Sequence, residues 1–152
     1  MNRPGGREAA GVFYINSWLR MAQITDGTSH TAMVSEIRSH NEIGDFDHDG
    51  RGIMHYPEGP LYQHNFTPNS LVPDQVRSIW CVTTPEAPCV AAFNAWHDRN
   101  YIVSARSNHP GGVNLLLGDS SVRFVGDSIG LDIWQALSSP EALAGKPLVT
   151  DY

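Results

Sequence analysis

The chain has 152 residues, 41% of them hydrophobic and 17% charged, which suits a globular core and excludes a disordered polymer. Ten Lys and Arg against 16 Asp and Glu give a formal net charge of −6 with no basic stripe, which argues against nucleic acid as the main partner because phosphate binding draws on clustered cations. No apolar run approaches the ~20 residues that a membrane-spanning helix requires.

Residues 1–10, opening Met1-Asn2-Arg3-Pro4-Gly5-Gly6, are polar and poor in helix formers and read as a flexible start. Residues 11–152 read as one β-rich domain. Gly11–Ile15 and Thr31–Arg38 alternate well enough for strands, with Asp26-Gly27 as a turn signal between them. Ser39–Gly59 is polar and Gly-rich, and His64–Gln75 carries turn-prone Asn and Pro, so both read as long loops. Val76–Val82 is a further strand candidate, and Ile102–Ala105 a short one that pairs near the hairpin that follows it. That hairpin is the clearest local pattern. Val113–Leu117 and Val122–Val125 flank Gly118-Asp119-Ser120-Ser121, where Gly and Asp tolerate the positive φ of a tight turn, and Pro110-Gly111-Gly112 supplies a turn just before. Val113, Leu115 and Leu117 are expected to face the core. Asp127-Ser128 are placed to cap a helix through Leu131, Ile133, Trp134 and Leu137, with Pro140 ending it. The fold class expected is mainly β within α+β, an antiparallel sheet or sandwich with one or two short helices.

The sharpest candidate for chemistry is Asp45-Phe46-Asp47-His48-Asp49-Gly50-Arg51. Carboxylates at alternate positions before a Gly resemble the first half of a calcium loop, with Asp45, Asp47, Asp49 and the Arg51 carbonyl as oxygen ligands for Ca²⁺. The second half departs from it. Tyr56 stands where the bidentate Glu of a helix–loop–helix site belongs, and Glu58 lies two residues beyond. The alternatives are a calcium ion or an acidic solvated turn. Seven histidines are scattered without the spacing of a zinc hydrolase, and G-x-S-x-G is absent. If the chain has catalytic residues, the candidates are His48, His109 and Asp119. For His109 and Asp119, a mutual hydrogen bond that supports the hairpin is the expectation set against catalysis.

Nine residues lie between His109 and Asp119, and His109-Pro110-Gly111-Gly112-Val113-Asn114 with Asp119-Ser120-Ser121-Val122-Arg123-Phe124-Val125 resembles the carboxy-terminal signature of a secreted, prepilin-type family, H-x(9)-D-G, also catalogued as solute-binding. Ile24-Thr25-Asp26-Gly27-Thr28-Ser29-His30-Thr31 through Glu36 is similar to that family's ITDGTSNT…E block. Arg51-Gly52, Thr67-Pro68-Asn69-Ser70 with Pro73-Asp74, and Cys81…Cys89 match its middle section in order. Ser120 stands in place of the signature Gly, and His30 in place of the usual Asn. The resemblance implies a pilin-like head, whose sheet leans on a long apolar helix, and a location that is secreted, cell-surface or periplasmic. The early arrival of the ITDGTS block reads as the distal part of a longer family member. Such heads hold calcium in irregular loops, which favours the ion reading at Asp45–Asp49.

Cys81 and Cys89 bracket a short loop with Pro85 and Pro88, and an even count in a secreted protein fits one disulfide; two separate buried thiols are the alternative. The first functional reading is a secreted, calcium-binding, pilin-like β domain with a structural or interaction role, for a protein or small-molecule partner. The rival is a small calcium-dependent hydrolase of an ester or lactone, such as an acyl-homoserine lactone, in which the cation polarises the carbonyl and water. A third is a solute-binding module.

Overall fold

The computed structural model describes residues 11–13, 18–40, 49–52, 62–95 and 101–141. Among them are five strands, β1 (Ala32–Ser35), β2 (Asp74–Arg77), β3 (Cys89–Phe93), β4 (Gly112–Leu117) and β5 (Val122–Gly126), and one helix, α1 (Leu131–Leu137), with short 3₁₀ turns between. This is a mainly β, α+β arrangement. The flexible start expected for residues 1–10 lies outside the described residues. Residues 11–13 of the first strand candidate form a bend rather than a strand, and most of the loop at 39–59 also lies outside.

Strands β1, β4 and β5 form an antiparallel sheet in the order β1-β4-β5. Alternation along β4 sends Val113, Leu115 and Leu117 inward, where each is at most 1% exposed. The turn after β4 is built differently from expectation. Positive φ falls on Ser120 (+71°), not on Gly118 or Asp119. Ser120 N–H donates to the Leu117 carbonyl at 3.0 Å and Leu117 N–H to the Ser121 carbonyl at 2.9 Å. These bonds define a three-residue loop, a type I turn closed by a left-handed residue. Ser120, standing where the resemblance expects a Gly, fills the left-handed position. Gly118 is required for space, because a Cβ there would lie 3.0 Å from the Thr28 carbonyl oxygen.

Helix α1 lays Trp134, Ala136 and Leu137 on the inner face of this sheet, against Ala32, Ala105, Val113, Leu115, Leu117 and Val125. Its N-cap is Gly130, so the cap expected from Asp127-Ser128 is not formed. Asp127 is instead engaged by the Asn69 side-chain amide at 2.8 Å. The described helix is far too short to cross a membrane, and no other described helix is long and apolar enough to do so.

A second core of Val76, Cys89 and Val103 lies under the parallel pair β2–β3. The strand expected at Val76–Val82 starts earlier, at Asp74, and ends at Arg77, where Ser78–Trp80 coils into a 3₁₀ turn. That turn brings Cys81 back to Cys89, and the two form a disulfide with Cα atoms 5.7 Å apart. Residues 102–105 do not join the C-terminal hairpin; Ile102 bridges Gln75 and Ser104 bridges Gln63. This segment contributes Ala105 to the first core and Val103 to the second.

Candidate functional site

Four charged side chains are enclosed between the second core and the loops around it. Asp49, Arg51, Asp74 and Arg106 are each at most 3% exposed. Arg51 donates from Nε to Asp49 Oδ1 at 2.9 Å and from Nη2 to Asp49 Oδ2 at 2.9 Å, while Nη1 reaches Asp74 Oδ2 at 3.1 Å. Arg106 Nη1 also donates to Asp74 Oδ2, and Asp74 Oδ1 accepts the Ser104 N–H at 2.9 Å. The remaining guanidinium N–H groups go to the carbonyls of Val82, Ala87, Ser70 and Val72. Two arginines and two aspartates thus neutralise one another and pin four separated loops. A buried charge is tolerable only when so completely partnered.

This network receives two residues of the expected calcium loop. Asp49 offers its oxygens to Arg51 and to the His40 N–H, at 2.8 Å for the latter. Arg51 is itself a member of the network. Asp45, Asp47, His48 and Glu58 lie outside the described residues. No group of three or more His, Cys, Asp or Glu that could hold a metal ion occurs among the described residues.

The two signature residues flank β4, one before it and one after it. His109 occupies the turn before that strand, where Gly111 takes φ +79°. Its Nε2 lies 3.1 Å from Glu36 Oε1. Glu36 Oε2 accepts the Asn114 backbone N–H at 2.7 Å, and the Glu36 carbonyl accepts the Arg106 N–H at 2.9 Å. The last residue of the ITDGTS…E block is therefore the partner of the signature histidine. The hydrogen bond expected between His109 and Asp119 is not formed. Asp119 caps its own turn, accepting Ser121 N–H at 2.9 Å and the Ser121 hydroxyl at 2.6 Å. Those two bonds hold the Asp119 carboxyl below the usual carboxylate range. The reason for the separation is geometric: β4 runs between the two residues, and at ~3.4 Å per residue it places them on the order of 20 Å apart. Ser107, two residues before His109, donates its hydroxyl to the Gly112 carbonyl at 2.6 Å, so it serves the turn rather than the imidazole.

Asn69 ties the same region together. Its side-chain Oδ1 accepts the Ser107 N–H at 2.9 Å, and its φ of +52° is one that Asn tolerates. An open groove of about 340 Å³ lies beside it, walled by Arg38, Asn69, Glu86, Asn108, His109 and Asp127. Glu36, Asp74 and Arg106 went unassigned in the reading of the sequence; of these, Glu36 carried a usable signal as a polar residue closing a recognisable block.

The outer face of the three-stranded sheet is apolar as well. The register aligns Val34, Leu116 and Val122 in one row across all three strands, and sets Phe124 opposite Asn114 in the next. Val34 is 50% exposed, Val122 62% and Phe124 50%. Phe124 folds over Gly112, where a Cβ would come within 2.7 Å of its ring, and the His109 ring stands edge-on to it at 6.3 Å.

Fold and site together define a small mainly β domain, stapled by one disulfide and an internal ionic network, with His109 and Glu36 meeting at one end of β4 and Asp119 closing the turn at the other. A family model, SBP_bac_10, described as "Protein of unknown function (DUF1559)", matches residues 4–132, and the chain belongs to that family. No curated protein and no solved structure matches the chain.

Proposed function

We propose that this chain is a secreted, pilin-like β domain that works by interaction, packing the outer face of its three-stranded sheet against an apolar helix. The observation that carries the reading is the row Val34–Leu116–Val122 with Phe124 beside it. The solvent face of an antiparallel sheet is normally polar, and a contiguous apolar one marks an interaction surface. The inner face is already covered by α1. A helix is the natural second layer for a flat sheet face, and the prepilin resemblance supplies that occupant. The Cys81–Cys89 bridge suits an oxidising compartment, in keeping with secretion.

The test is an NMR titration of the isotope-labelled chain with an amphipathic Leu/Lys helical peptide. Amide shifts are expected along β1, β4 and β5, and their loss in Val122→Lys/Phe124→Lys, a pair of exposed substitutions that leaves the fold intact. Shifts that avoid the sheet, or that survive both substitutions, refute the proposal. A calcium ion in the loop at 45–51 is a separate proposal that rests on the alternating carboxylates alone. Calorimetry showing no heat of calcium binding, with an unchanged melting temperature, would remove it.

A further inference from the structure

We infer that the groove beside His109 is a binding site for a small zwitterion of the α-amino acid class with an aliphatic side chain, anchored through its carboxylate by Arg38. The starting point is an imbalance of partners. Among the described residues, the buried Asp49, Arg51, Asp74 and Arg106 are all paired, whereas the half-buried Arg38 side chain has no hydrogen bond or ion pair. Its neighbour Ile37 packs into the second core, which fixes the backbone while Arg38 lines the groove. An idle guanidinium in a concave site is suited to bidentate recognition of a carboxylate.

The other walls narrow the ligand class. Glu86 and Asp127 also line the groove; Asp127 gives one carboxylate oxygen to Asn69. One cation faces two carboxylates, so a simple anion meets repulsion and a simple cation meets Arg38. A ligand with both charges satisfies both walls. Leu71 and Pro85 add an apolar wall for its side chain. The volume of about 340 Å³ lies at the small end of ligand sites, which span roughly 300–1,000 Å³, so the occupant is compact.

The experiment compares L-leucine, N-acetyl-L-leucine and L-leucinamide by NMR titration of the full chain, in its native form and as Arg38→Gln. L-leucine is expected to shift the amides of Asn108, His109 and Gly111 saturably. Blocking either charge should weaken binding by roughly tenfold or more, as losing a charged hydrogen bond does. Arg38→Gln should produce the same loss with L-leucine at an unchanged melting temperature, since Arg38 holds nothing in the fold. No saturable shift with L-leucine, equal binding of all three compounds, or indifference to Arg38→Gln overturns the assignment. So do shifts centred on Val34, Val122 and Phe124, which would place the ligand on the outer sheet face.

Discussion

His64 should make the stability of this domain fall as the medium turns mildly acidic. The imidazole is buried, stacked on Trp134 with centroids 3.7 Å apart and planes within 8° of parallel. Its Nδ1–H points at the Trp134 carbonyl, and its Nε2 faces the Tyr62 hydroxyl at 3.3 Å, so the neutral ring is held at both nitrogens. Burial leaves no room for hydration of an imidazolium and lowers the pKa from 6.5 to about 4, although the bond to the Trp134 carbonyl opposes the shift. The unfolded chain takes up the proton near 6.5 and the folded one only near 4. The contribution of a neutral His64 is therefore complete above pH 6.5 and is lost progressively as pH falls to about 4. The full difference is on the order of 3 kcal/mol, at about 1.4 kcal/mol per pH unit. Urea unfolding at a series of pH values measures it. His64→Phe keeps a ring on Trp134 but cannot titrate, so subtracting its curve removes the other histidines and the carboxylates. The variant should cost about 1–3 kcal/mol at neutral pH, because the Trp134 carbonyl loses its donor. Below pH 6 the gap to the native chain should narrow. A gap that stays constant from neutral pH to about pH 4.5 would falsify the argument.

Asp74→Ala leaves Arg51 and Arg106 enclosed with one carboxylate fewer, and the loss expected in chemical denaturation is about 3–5 kcal/mol. Leu115→Ala, at the fully buried centre of β4, should cost about 2–5 kcal/mol. His109→Ala removes a half-exposed contact with Glu36 and should cost no more than about 1 kcal/mol, so a loss equal to or larger than that of Leu115→Ala would contradict the burial order. Ser120→Gly relieves a left-handed side chain and should raise stability by about 1 kcal/mol, read as a higher melting temperature. Replacing both Cys81 and Cys89 by Ser reopens a short loop and should cost roughly 2–3 kcal/mol; intact mass after alkylation without reductant confirms the bridge in the native chain.

Where the pattern was local, the sequence was legible. The hairpin β4–β5 and the helix α1 follow from alternation and helical spacing within a dozen residues, and Val113, Leu115 and Leu117 face the core as expected. Strand β3 was not legible, because Val90, Ala91 and Ala92 are all exposed and its burial does not alternate. It is a strand because the disulfide and the pairing with β2 hold it there. The ionic network was hidden for a related reason. Arg51 and Arg106 carry the residue type that most often sits in water, and only the meeting of loops far apart in sequence makes their burial tolerable. The calcium ligands expected at Asp45, Asp47 and Glu58 lie outside the described residues, while Asp49 is already committed to an arginine.

The two signature residues illustrate how spacing can mislead about contact. A His and an Asp with nine residues between them suggest a pair, yet an intervening strand makes them the two ends of one element. At one end Asp119 closes a turn that demands a left-handed residue. At the other, His109 reaches Glu36 across 73 positions of sequence, bringing the end of the ITDGTS…E block to the turn before β4. Each end thus has its own structural reason for its residue type, and the nine residues between them in this chain span β4. The same strand length sets how far the apolar row on the outer face stands from the polar groove. A change in the number of residues between His109 and Asp119 would therefore disturb two surfaces at once: an odd insertion would turn Val113, Leu115 and Leu117 outward and send Asn114 and Leu116 into the core.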